Sequence, residues 1–389
     1  MIRGSGRRIS ALPDAVNDAY RVGLLDWLAC AYGGRDEHAA RAARAIGGEW
    51  SGRIVAAGAA GHVLDYDDTY LPGLAHLSAP VAPVACLIGA EVGATVGRVL
   101  DAYALGFEAM GAVARAGHPA LYERGWHPTA VCGVVGAAVS ASVLLGADAE
   151  RAVRLAMLSA GGLRASFGSD GKSLQVGMAA AAGARAARLA AQGASATDRV
   201  VAAFERAYDA TWAEPDPTRP AVVDNWIKAY PCCLQTHSSI EAAERARAAG
   251  VSDGPIEVLV HPVSRQAAPY DDVADGLQAK FSIPYTVAFT VLHGSPGVRD
   301  FARLDDGARA LAAAVSVTTD PHLLESEARL TTADGFEARV EAALGSPARP
   351  MTAGQLTAKV HDLAGDALAG VLDDADEPAR LLLDAARLT

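Results

Sequence analysis

Five short polar segments interrupt otherwise apolar stretches, and their residue types suit proton transfer on a small acid. They are Leu64-Asp-Tyr-Asp-Asp-Thr-Tyr70 followed by His76-Leu-Ser-Ala-Pro80, then Gly125-Trp-His-Pro-Thr129, Gly171-Lys-Ser173, Lys228-Ala-Tyr-Pro-Cys-Cys-Leu-Gln-Thr-His237 and Ala279-Lys-Phe-Ser-Ile-Pro-Tyr285. Histidine supplies a base near neutral pH without heavy tuning. A lysine can hold a substrate carboxylate and the enolate-like charge that forms beside it, and a carboxylate can orient an imidazole and fix its tautomer. Three carboxylates closing an apolar helix, at Asp65, Asp67 and Asp68, oppose the helix dipole, which argues for use rather than for helix stability. Lys172 enters a long Ala-rich segment, where a buried lysine is rare unless paired or functional.

Other chemistries find less support. Gly168-Ser-Asp-Gly-Lys-Ser173 resembles a phosphate-binding loop, but Ser166 stands where the first glycine is needed and no strand is expected before it. No H-x-x-x-H occurs, and of the five cysteines only Cys232 and Cys233 are close, so neither a zinc set nor an iron–sulfur set is expected. The odd cysteine count without C-x-x-C fits reduced thiols in a cytoplasmic protein. Met1-Ile-Arg-Gly-Ser-Gly-Arg-Arg8 has charge but no apolar run behind it, so a loose tail is expected there rather than a signal peptide. The formal charge of −11 argues against a nucleic-acid partner, whose phosphates demand a basic face. It leaves a small anionic substrate open, because a local cationic cluster can oppose the global field.

The elements that must carry these groups are mainly helical. Apolar residues recur at three- and four-residue spacing over 15–32, 54–64, 99–117 and 149–163, and the Ala-rich run 175–192 stops at Gly193. Residues 128–147 bear no charge; their Ala, Gly, Ser, Thr and Val content predicts a buried core helix rather than a membrane span. With 51% hydrophobic but only 6% aromatic residues, small side chains allow close helix packing. Three prolines within residues 213–220 mark a boundary, after which strands are expected at 256–262, ending at its proline, 314–319, 327–332 and 336–340, with helices at 237–249 and 285–292. Residues from 352 onward read as helical again. The fold class is therefore mainly α: a large helical domain from 1–221 and 346–389, and a smaller α+β lid domain from 222–345.

Taken singly, each polar segment also fits a solvated helix end or a surface loop. In this order, and together with Pro350-Met-Thr-Ala-Gly-Gln-Leu-Thr-Ala-Lys359, they resemble the MmgE/PrpD family over nearly the whole chain. Its members include 2-methylcitrate dehydratase, cis-aconitate decarboxylase and iminodisuccinate epimerase. The resemblance implies a homodimer without cofactor or metal, acting on a small carboxylate by dehydration, or by decarboxylation or epimerisation; a non-catalytic acid-binding dimer is the competing class. It implies site roles for Asp65 and Thr69 in the D-x-D-D-T motif, His76, His127, Lys172, His237 after Y-P-C-C, and Tyr285 in F-S-x-x-Y, with Thr69, His76 and Lys172 touching substrate. These residues are expected to meet in one pocket, with Tyr285 reaching it from the lid. Two departures stand out: a histidine often found three residues after the lysine is Gln175 here, and the chain is shorter than typical members, with a trimmed C-terminal part and a His76 loop of its own length, so the resemblance leaves the exact substrate open.

Overall fold

The computed structural model describes residues 14–47 and 50–388; the tail expected at the N-terminus lies outside them. Small residues set its helix spacing. The helices Trp50–Val63 and Asp170–Ala191 approach so closely that a Cβ on Gly58 would lie 2.8 Å from the Gly177 Cα. Val96–Gly117 and Pro128–Leu145 meet similarly at Gly106, where a Cβ would come within 2.6 Å of the Gly136 carbonyl oxygen. The Ala- and Gly-rich composition thus acts at defined crossings, where only the smallest side chains let the backbones pack. Pro128–Leu145 is long and apolar enough by length and composition to cross a membrane, yet its residues are mostly buried among the other helices, as a core helix requires.

The main core draws its side chains from Tyr20 to Val222 and again from Val360 to Ala386. Helices Asp14–Gly34 and Ala353–Ala364 pack on each other, so the C-terminal part returns to the first bundle. A second core lies under a four-stranded sheet in the order Val315–Thr319, Ile256–Val260, Ala328–Thr332, Glu337–Val340. The first pair runs parallel and the others antiparallel. Helices Leu234–Ala248 and Ile283–His293 cover this sheet with Ala242, Ala246, Val287 and Val291. A two-residue ladder, Thr69–Tyr70 with Asn225–Trp226, stitches the two parts together beside the polar segments.

Two differences from periodicity bear on the site. The helix expected over 149–163 ends at Met157, and the chain extends through Gly162, whose φ of +129° no helix allows. That break lets the Gly162 carbonyl accept the His127 amide (3.0 Å). A helix that periodicity does not predict covers Ser78–Glu91 despite Pro80 and Pro83. It is buried nearly all round, so it carries no amphipathic pattern to read. Its first turn is held by Asp68, which accepts from the Ser78 amide (3.2 Å) and hydroxyl (2.6 Å).

Candidate active site

The helix Trp50–Val63 ends in a loop that four lysines grip from different directions. Asp65 takes a left-handed φ of 52°, unusual for a residue with a side chain. Lys172 Nζ and Lys228 Nζ both donate to its Oδ1, at 2.7 and 2.9 Å. Lys228 also donates to the Asp65 carbonyl (2.9 Å) and to that of Cys232 (3.0 Å). Lys280 donates to the Leu64 carbonyl (2.6 Å), and Lys359 to the Tyr66 carbonyl (2.8 Å) while pairing with Asp26 (2.6 Å). Ammonium groups suit this task, since three donors on one compact charge can satisfy carbonyls and a carboxylate together. Burial opposes ionisation of Asp65, but Lys172 and Lys228 outweigh it and hold the carboxyl well below its usual range.

These four are all the lysines of the chain; its other 30 basic residues are arginines, out of 34 in total. That scarcity was a visible pointer to the site, and it also marks Lys228, Lys280 and Lys359, which motif spacing alone does not single out.

Beside this loop lie three imidazoles. His62 Nδ1 donates to Asp67 Oδ2 (2.8 Å), and His76 Nδ1 lies 3.2 Å from the same oxygen. The His76 amide donates to the Thr129 hydroxyl (3.1 Å), and Thr69 Oγ1 is 3.5 Å from His76 Nδ1. His127, at the start of Pro128–Leu145, has Nδ1 2.6 Å from Gln175 Nε2. Burial lowers all three imidazole pKa values. His76 falls to about 3 although Asp67 pulls the other way, and Lys172 adds to the fall of His127. All three are therefore neutral at neutral pH. His62, Asp67 and His76 place one nitrogen or oxygen each within 4.8 Å, a set that could hold a metal ion and that no sequence spacing announces. As they stand, the two Nδ1 atoms face the Asp67 carboxylate as a hydrogen-bonded relay.

A small cavity opens between this wall and the lid. Asp65, Thr69, His76, His127 and Lys172 line one side, and Leu234, Gln235, Ala267 and Phe281 the other, with Tyr122 and Phe167 at its edge. Four polar atoms of these lining residues are buried without a partner: Asp65 Oδ2, Tyr122 Oη, His127 Nε2 and Gln235 Nε2. Each such atom costs about 1–3 kcal/mol, so their gathering on one cavity marks a place where a polar ligand repays the cost. The Lys172 ammonium also lies 5.4 and 5.3 Å from the Phe167 and Phe281 ring centres, within cation–π range.

The expected convergence of seven residues is thus seen for five. His237 sits one turn into Leu234–Ala248, donates Nε2–H to the Cys232 carbonyl (3.2 Å) and packs on Tyr230. Residues 233–235 take the cavity wall, whereas His237, one turn further along the helix, is held outside it by the Cys232 carbonyl and the Tyr230 ring. Tyr285 lies in the lid interior, where its hydroxyl accepts the Asp305 amide (2.9 Å). Neither side chain lines the cavity. His237 is linked to the site indirectly, because the Cys232 carbonyl that it touches also receives Lys228.

A family model described as the MmgE/PrpD N-terminal domain matches residues 54–220, and one described as the MmgE/PrpD C-terminal domain matches residues 230–384. The chain belongs to the MmgE/PrpD family. Among curated proteins it is similar to human cis-aconitate decarboxylase, at 29% identity over 208 residues. That match spans 49% of this chain and 43% of the relative, so this chain covers less than half of the relative's length. In this MmgE/PrpD protein the cavity lies where the two family segments face each other: His76, His127 and Lys172 come from the first, Gln235 and Phe281 from the second.

Proposed function

We propose that this protein is a cofactor-independent lyase that removes a proton from the carbon beside a carboxylate of a small di- or tricarboxylic acid, and that the reaction is dehydration of a 2-methylcitrate-like hydroxy acid. The observation that carries the reading is the meeting of neutral His76 and His127 with the Lys172 ammonium on one cavity whose lining holds four unpartnered polar atoms. In this reading a substrate carboxylate approaches Lys172. His76, oriented by Asp67, takes the adjacent C–H proton, and the electron pair moves into the carboxylate as enolate-like charge. That pair then forms the C=C bond as the C–O bond breaks, and the imidazolium just formed returns its proton to the departing hydroxide. One water leaves and the enzyme is regenerated. The similarity to cis-aconitate decarboxylase supports a second reading on the same residues, in which the C–CO₂ bond of an unsaturated tricarboxylate breaks and a proton takes its place.

Incubation of the chelator-treated protein with citrate-like hydroxy acids and with unsaturated tricarboxylates in deuterated water, followed by NMR, tests this. Alkene formation with loss of water supports the first reading, and release of carbon dioxide with deuterium gained at carbon selects the second. Deuterium exchange with inversion alone would replace both with an epimerase. Binding of the acids without exchange would overturn catalysis altogether.

A further inference from the structure

The side chain of Gln175 is oriented by the backbone around it. Its Oε1 accepts the Leu163 amide (2.9 Å), so the other amide atom, Nε2, faces the Leu163 carbonyl (3.2 Å), Ser166 Oγ (2.8 Å) and His127 Nδ1 (2.6 Å). Reversing the amide would set oxygen against the Leu163 carbonyl and N–H against its N–H. The Ser166 hydroxyl spends its own hydrogen on the Leu163 carbonyl (2.8 Å), so it receives rather than gives toward Gln175. The segment is closely fitted: a Cβ on Gly162 would come within 3.2 Å of Gln175 Oε1, and the Gly162 carbonyl holds the His127 amide. One loop therefore fixes both the His127 backbone and the amide that faces its ring.

An amide N–H can only donate. His127 Nδ1 must then present its lone pair, and a neutral ring carries its proton on Nε2, the buried, unpartnered nitrogen of a cavity-lining residue. We infer that Gln175 is a positioning residue that locks His127 as the Nε2–H tautomer, making His127 a fixed hydrogen-bond donor to a substrate oxygen rather than the base. Its catalytic use rests on the lyase reading above; the tautomer itself does not. In that reaction His127 keeps its proton throughout. It stabilises the oxygen that gathers enolate-like charge, as a neutral imidazole can when its second protonation is suppressed. Burial and the nearby Lys172 suppress it here. The proton that moves belongs to His76.

The experiment is long-range ¹H–¹⁵N correlation of the histidines in the full-length ¹⁵N-labelled protein at neutral pH, with His127 assigned by its loss in His127→Gln. The expected spectrum shows His127 Nδ1 unprotonated and Nε2 protonated. In Gln175→Glu a carboxylate accepts from Nδ1–H, so the pattern inverts, and kcat falls by about 10²–10³-fold with KM little changed, the loss typical of one such donor. If Gln175→Glu does not fold, Gln175→Met removes the donor and leaves a mixture of the two tautomers. Native His127 protonated on Nδ1, or an unchanged pattern in both folded variants, overturns the inference. Because the spectrum needs no substrate, a correct tautomer in a protein that leaves citrate-like acids untouched would sink the lyase reading and spare this one.

Discussion

The helical wall of the cavity and its lid wall differ in kind. The first presents Asp65, His76, His127 and Lys172, all held by hydrogen bonds or ion pairs to buried or half-buried partners. The second presents Leu234, Ala267 and Phe281, and of its lining residues only Gln235 has a buried polar atom without a partner. The histidine and tyrosine expected from the lid point into its own interior. On the proposed reaction the contrast separates two jobs: one wall would carry charge and protons in fixed positions, and the other, which sets the Phe281 ring over Lys172, would exclude water and so strengthen every electrostatic contact inside.

The largest test of that division is Lys172→Ala. Turnover should fall by at least about 10²–10³-fold, measured with whichever acid reacts in deuterated water. Circular dichroism should stay native, since Asp65 keeps its second partner, Lys228, at 2.9 Å. An equal loss of turnover from Phe281→Leu would erase the distinction between the walls.

Acid stability probes the same contrast. His62, His76, His127 and His237 are all lowered by burial, His76 and His237 to about 3. The unfolded chain binds protons at these sites below about pH 6.5, whereas the folded protein takes them up only far lower. Stability present at neutral pH is therefore lost as pH falls from 6.5 toward 3, by up to about 1.4 kcal/mol per pH unit for each histidine. Asp68, raised to about 7, and Asp26, Glu108 and Glu244, raised as well, all mainly by burial, work the other way and lose stability as pH rises, so they offset part of this loss. Comparison isolates the histidine share: from pH 7 to pH 4 the thermal midpoint of His76→Gln should fall less than that of the native protein. Equal pH dependence in the two proteins would mean that this ring is not held neutral.

The smallest effect is expected from Tyr285→Phe. It removes only the acceptor for the Asp305 amide, so it should cost about 1 kcal/mol in a denaturant titration and leave turnover within a few-fold. A loss comparable to that of Lys172→Ala would place the tyrosine in the chemistry and end the two-wall distinction.

The helices at 96–117 and 170–191 and the strands at 256–260 and 328–332 were legible because their period survives in residue pattern. Ser78–Glu91 was not, since a helix buried on every side has no polar face to set its period. Within the site, Asp65, His76, His127 and Lys172 stood out as polar groups in apolar surroundings. His237 and Tyr285 fell outside the cavity wall because partners inside the lid, the Cys232 carbonyl and the Asp305 amide, take up their polar atoms, and spacing does not encode that. His62 and Asp67 gained a place in the relay through a loop closure that brings residue 76 back onto residues 62–67. Gln175 was visible as a departure, but its effect on the His127 ring required the Gly162–Ser166 loop to be seen against it.

The gathering of every lysine beneath the site has a practical outcome. No ε-amine stands on the outer surface, for all four are at most 6% exposed. An acylating reagent added to the native protein can reach a lysine only when the interior around the Asp65 loop breathes, and Lys228 and Lys280 belong to the lid sequence while Lys172 belongs to the helical core. Under conditions where opening is the slow step, the rate at which lysines acquire mass then reads the frequency of that opening, and a tight-binding acid that holds the two walls together should slow all four at once.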